Sequence, residues 1–121
     1  TNKMEKRTIV KHLEAEKLDI GRGFIKQDFP QGEQLNVLHW DIADGSVLPT
    51  HSHSEEQFGF MIKGAFRLTV GDEEFLVEEG DGYIVSSGVP HSCVAVGDVE
   101  TLDIFSPAKV FPWMKKDCEI K

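Results

Sequence analysis

Hydrophobic and polar positions alternate in short runs between Gly21 and Ser106, and glycine- and aspartate-containing breaks separate the runs. Alternation with a period of two marks half-buried strands, because successive side chains leave opposite faces of an extended chain. The runs are Phe24–Asp28, Leu35–Ile42, Gln57–Lys63, Ala65–Val70, Glu73–Val77, Gly82–Val85, Ser92–Val96 and Glu100–Phe105. Breaks fall at Gly32, Asp44-Gly45, Gly64, Gly71-Asp72, Gly80-Asp81, Gly88 with Pro90, and Gly97-Asp98. Gly71-Asp72 suits a tight hairpin turn, since glycine accepts a positive φ at no steric cost. Strand starts that recur at roughly eight to ten residues predict an all-β sandwich or barrel, not βαβ units. Within Gln57–Lys63, the side chains of Phe58, Phe60 and Ile62 oppose Gln57 and Met61, and their hydrophobicity predicts core packing. Arg67, between Phe66 and Leu68, is expected to face solvent.

The ends read differently. Ile9, Val10, Leu13 and Leu18 stand among charges, which fits a short helix or a strand joining the sheet edge. The expected organisation is an N-terminal edge strand or short helix over 1–20, one β-barrel over 21–106 and a C-terminal tail over 107–121. Phe111, Trp113 and Met114 in that tail predict packing on the barrel or on a second subunit.

Composition narrows the function. A chain of 121 residues supports a single domain with a real core. Thirteen Lys and Arg against 21 Asp and Glu leave a formal charge of −8, which argues against binding a phosphate backbone. Two cysteines make no disulfide framework and favour a reducing compartment. The first ten residues are charged and carry no apolar leader, and no apolar run approaches the ~18 residues of a membrane span. A cytoplasmic location, with no nucleic-acid or membrane partner, is the expectation.

The candidate chemistry lies in the histidines. His51 and His53 are two apart, so in an extended segment their imidazoles share one face. Gln57 keeps the same parity, and His91 opens a later run that antiparallel pairing can bring opposite the first pair. Three imidazoles and one amide oxygen leave open positions on a divalent ion, as a working site requires. Glu55 and Glu56 are the rival carboxylates, read here as surface charges. His12 and His39 read as surface or hydrogen-bonded residues, and Cys93 as a buried thiol. In the last run Asp103 and Phe105 alternate with Leu102 and Ile104, so Asp103 and Phe105 are placed toward the interior. Asp103 there is a candidate proton-transfer group, and Lys109, six residues on, a candidate for holding an anion.

The stretch from Gly45 through His51, His53 and Gln57 to Gly64 resembles the first cupin motif, G-x5-H-x-H-x3,4-E-x6-G. Gly80, Ser86, Gly88 and His91 resemble the second, G-x5-P-x-G-x2-H-x3-N. Gln57 replaces the motif's glutamate, Ser86 its proline and Ala95 its asparagine. The resemblance implies a single-domain jelly-roll β-barrel with one divalent metal ion (nickel, zinc, iron, manganese or copper) on His51, His53, Gln57 and His91, and often a homodimer. Glutamine in place of glutamate leaves the ligand shell neutral, so the ion keeps its full charge and acts as a stronger Lewis acid.

Gln57, the run Asp103-Ile104-Phe105-Ser106-Pro107 and a basic residue at 109 further resemble the pectin-degradation cupins, which linearise 4,5-unsaturated uronates. That likeness implies Asp103 and Lys109 as catalytic residues, with Phe105 in contact with an anionic sugar; Met61 is a further candidate for lining the cavity. Lysine stands where that subfamily has arginine, and a point charge cannot fork onto a carboxylate as guanidinium does. The competing expectations are another metal-dependent cupin enzyme, such as a dioxygenase or isomerase, and a non-catalytic small-molecule binder.

Overall fold

The computed structural model describes residues 8–109. Two long antiparallel strands, β5 (Glu56–Val70) and β8 (His91–Ser106), pair along their whole length and form its spine. Each of them serves two layers. The first part of β5 pairs with β7 (Gly82–Val85), and the last part of β8 pairs with β3 (Asn36–Ile42). From β3 that layer continues to β2 (Phe24–Asp28) and the edge strand β1 (Leu18–Gly21). The second part of β5 pairs with β6 (Glu73–Glu78), and the first part of β8 with β4 (Val47–His51). The resulting all-β architecture, a jelly-roll barrel, holds no helix among the described residues, and so none long and apolar enough to cross a membrane.

The spine bends where glycines stand. The β5–β8 register shifts between Met61 and Lys63 and again between Lys63 and Ala65. Gly64 has φ +88°, and a Cβ there would lie 2.2 Å from the backbone oxygen of Asp98 on the partner strand. Only glycine, lacking a Cβ, accepts both that backbone conformation and that approach. Sequence reading takes Gly64 and Gly97 as breaks between strands, but Gly64 lies within β5 and Gly97 within β8. An extra residue in one strand of a pair kinks the ladder without ending it.

Between the layers, Leu38, Trp40, Ile42, Phe66, Leu68 and Val77 are buried together. The parity of β5 is as the alternation predicts, but its faces are reversed. Gln57 and Met61 point inward, while Phe58, Phe60 and Ile62 are 39%, 39% and 36% exposed. Hydrophobicity selects the phenylalanine face as core, whereas the interior is built around a polar site that claims Gln57. The strand β4 is hidden in the sequence by Pro49, which an edge strand tolerates because only one neighbour needs its backbone N–H groups. Near the N-terminus, residues 12–15 form a turn ahead of β1. The tail residues Phe111, Trp113 and Met114 lie outside the described residues.

Gly64→Ala should lower stability by about 2–3 kcal/mol, through both backbone strain and the clash with Asp98. Gly80→Ala, at φ +89° with no atom within 4 Å of a new Cβ, should cost only about 1 kcal/mol. Urea unfolding of the two variants checks this, and equal losses would show that the close approach at the bend contributes nothing.

Candidate metal centre

His51 closes β4 and His91 opens β8, where the ladder pairs them directly. His53 follows two residues later in the connection to β5. The imidazole centroids are 4.2 Å apart for His51 and His91, 4.8 Å for His53 and His91, and 5.7 Å for His51 and His53. One ligand atom from each histidine lies within 4.8 Å of the other two.

The backbone sets which nitrogen each ring presents. Every Nδ1 is 2.9 Å from a carbonyl oxygen two residues away: Pro49 for His51, Glu55 for His53 and Val89 for His91. A carbonyl only accepts, so each Nδ1 carries the hydrogen, and a neutral ring keeps its lone pair on Nε2. Burial is the main cause holding the His91 pKa below the usual imidazole value; the positive charges of His51, His53 and Lys109 add to it, and the Val89 carbonyl opposes it. His91 is therefore neutral at pH 7, the form that binds metals. Its Nε2 is buried with no hydrogen-bond partner, a cost the protein would otherwise avoid.

Gln57 stands beside this cluster. Its Oε1 is 3.2 Å from Nε2 of His53. Its side chain also hydrogen-bonds Asp103 and Tyr83. A carboxylate accepts from the amide nitrogen, which turns the amide oxygen toward the histidine. Two lone pairs facing each other repel, and a cation shared between them removes the repulsion. Three Nε2 atoms and one neutral oxygen fit a divalent transition ion. Glu55 stays outside this set, its carboxylate 3.8 Å from Nδ1 of His53, on the far side of that ring.

These groups open into a cavity of about 560 Å³, within the range of small-molecule sites. Asp103, Phe105 and Lys109 line it. Phe105 meets His53 edge-on, with centroids 5.5 Å apart. The Lys109 backbone N–H donates to Asn36 Oδ1 at 2.7 Å, which pins the segment after β8 over the cavity wall. Met61 is fully buried in the core and does not reach the cavity, so it cannot touch a ligand there. Cys93 does line it, but burial foremost, with the Asp103 charge, pushes the thiol up to about 12. It is a neutral packing group rather than a thiolate ligand.

Tyr83 also lines the cavity. It pairs with Gly59 on β5, which pairs in turn with Asp103 on β8, so the three stand in one row. The tyrosine ring lies across the glycine, where a Cβ would come within 2.1 Å of Tyr83 Cζ. Its hydroxyl donates to Asp103 Oδ1 at 2.9 Å. Burial pushes the Asp103 carboxyl up to about 6, against hydrogen bonds from Tyr83 and Gln57 that pull it down. Burial, followed by the Asp103 charge, raises Tyr83 well above the usual phenol value, so it remains a donor. The one trace of this pair in the sequence is a glycine inside a strand, which marks a close approach.

Residues 38–105 match the family described as cupin domain. Oxalate decarboxylase of Bacillus subtilis (strain 168) is 32% identical over 90 residues, which is 70% of this chain but only 23% of that enzyme. Among solved structures, an RmlC-like cupin from Shewanella frigidimarina superposes with a TM-score of 0.83 at 24% identity, covering 86% of this chain and 94% of that one. KdgF from Halomonas sp. gives 0.81 at 23%, covering 84% and 96%.

His53→Ala and His91→Ala should each weaken divalent-ion binding by at least about 100-fold, read by competition against a chromophoric chelator. Gly59→Ala should leave that affinity within about threefold of wild type while displacing the Tyr83 ring and lowering the melting temperature. Unchanged ion affinity in both histidine variants would remove the metal assignment.

Proposed function

The chain belongs to the cupin family, and from that premise we propose a metal-dependent enzyme that converts a 4,5-unsaturated uronate monomer to its linear keto form. The observation that carries this reading is the placement of Asp103, held by Tyr83, in the same cavity as the histidine cluster, with Lys109 on its wall. The sequence resemblance to the pectin-degradation cupins at Gln57, Asp103–Pro107 and position 109 supports the substrate class.

His51, His53, Gln57 and His91 would hold a divalent ion, which supplies Lewis-acid polarisation of substrate oxygens when bound. The Bacillus oxalate decarboxylase carries Mn(II) centres, so the scaffold accommodates such an ion. Lys109 attracts the substrate carboxylate as a point charge and offsets, within the cavity, the chain's formal charge of −8. Asp103 delivers a proton to C4 of the enol ether, and the C4–C5 double bond becomes single. Water adds its oxygen at C5 and returns a proton to the Asp103 carboxylate. The resulting hemiketal opens as its hydroxyl proton passes to the ring oxygen and the bond between C5 and that oxygen breaks, which leaves a ketone at C5, a hydrated aldehyde at C1 that releases water, and no net change at Asp103. Tyr83 fixes the carboxyl orientation throughout, and the apolar lining limits bulk water. A second reading, decarboxylation of a small dicarboxylate, is favoured by the identity to oxalate decarboxylase.

Asp103→Asn should lower turnover by at least about 1000-fold with metal content unchanged, and Lys109→Ala should raise KM with a smaller effect on kcat. The assay follows loss of the enol-ether ultraviolet absorbance on unsaturated galacturonate or mannuronate monomer, with oxalate run in parallel. Full activity in the Asp103 variant, or turnover of oxalate alone, would refute the uronate reading.

We further propose that the protein is a homodimer through its exposed sheet face. Ile84, Phe58 and Ile104 stand side by side across three strands, with Phe60 and Leu102 in a neighbouring row. Phe58 and Ile84 are 39% and 56% exposed, an apolar stripe that a second copy would cover. Phe58→Glu should halve the mass seen by light scattering; an unchanged mass would exclude this face.

A further inference from the structure

We propose that His12, His39 and Glu100 form a second binding site for a divalent transition-metal ion, on the outside of the barrel, where the ion fastens the N-terminal turn to the sheet. His39 lies on β3 between Leu38 and Trp40, whose side chains enter the core, so its own side chain leaves by the opposite face. The site is thus separated from the cavity by the sheet itself and stands independently of the functional reading above.

Three observations carry the assignment. His12, His39 and Glu100 present ligand atoms within 4.8 Å of one another. His39 is only 3% exposed, yet its Nδ1 has no hydrogen-bond partner, while its Nε2 lies 2.7 Å from Glu100 Oε2. The Nε2 that faces Glu100 is the nitrogen an ion shared with that carboxylate would take, in place of the hydrogen between them. The turn that brings His12 here is deliberately held. Gln27, fully buried and directly opposite His39 on β2, donates its amide N–H groups to the backbone oxygens of His12 and Ala15, at 2.8 and 3.0 Å. Phe29 stacks on the His39 ring, which confines it, and meets His12 only edge-on.

Two imidazoles and a carboxylate suit zinc, cobalt or nickel and leave positions for water. Ligand–metal distances of about 2.0–2.2 Å require the donors to draw closer, and His12, in an exposed turn, has the freedom to do so. Calcium and magnesium, which take oxygen ligands, are disfavoured. The ion would tie residue 12 to residues 39 and 100 and so close a long loop across the outer face of β2, β3 and β8.

The test is zinc titration of the chelator-treated full chain, with free zinc set by a competing chelator. Wild type should bind about two equivalents, and a His51→Ala/His53→Ala variant about one. Adding His12→Ala to that variant should remove the remaining equivalent. Zinc should slow tryptic cleavage at Lys11 and Lys17 by at least about tenfold in the doubly substituted protein, and not once His12 is replaced. If that protein does not fold, His12→Ala alone carries the test and should lower the wild-type stoichiometry by about one. A folded double variant that binds no zinc, or a stoichiometry and cleavage rate indifferent to His12→Ala, overturns the proposal. Loss of zinc with His12→Ala but not with His51→Ala/His53→Ala would instead refute the cavity site and leave this one standing.

Discussion

Three imidazole rings point their unprotonated nitrogens at one another because their other nitrogens are committed to backbone carbonyls. The bonds to Pro49, Glu55 and Val89 are short and local, each two residues from its histidine. They hold tautomer and ring orientation at once, so the chain itself arranges three lone pairs to converge. Without a cation that convergence is unfavourable: the His91 Nε2 is buried with nothing to accept from, and Gln57 Oε1 faces another acceptor. The interior around this cluster is organised by the same requirement. Gln57 turns inward at the expense of two phenylalanines, and those phenylalanines become an outer apolar face.

The cluster depends in turn on the bent spine. His91 begins β8 and Asp103 lies near its end, twelve residues along the same strand. A straight strand would hold such residues about 40 Å apart. A bend at Gly97, matched by one at Gly64 in the paired β5, folds the strand into both layers and brings its two ends to one cavity. The same geometry explains why Gly59 matters. It sits between Tyr83 and Asp103 in a single row, and only the missing side chain lets the phenol cross one strand to reach the carboxylate.

Inner and outer faces of β3 show how the same strand serves two purposes. Leu38 and Trp40 fill the core, while His39 between them is covered from outside by the N-terminal turn. A histidine buried by a chain segment rather than by the barrel is easily dismissed from sequence as a surface residue. Its cover, His12, is 27 positions away (39 − 12) and is recruited through Gln27.

What the sequence by itself determined follows from short-range rules. Period-two alternation marked most strands, glycines marked the points where the alternating runs break, and the two-residue spacing of His51 and His53 placed their rings near one another. The alternation of Asp103 and Phe105 with Leu102 and Ile104 likewise put the first pair on the cavity side, since parity is a local property. Tertiary structure decided whatever depends on which face meets which partner. Parity separates Gln57 and Met61 from Phe58 and Phe60 but does not say which pair is inside, and hydrophobicity alone selects the wrong one. It also decided that Gly64 and Gly97 bend strands rather than end them, that Tyr83 reaches Asp103, and that His12 lies over His39. Each of these needs contacts between residues distant in the chain, and only packing of the whole sheet sets them.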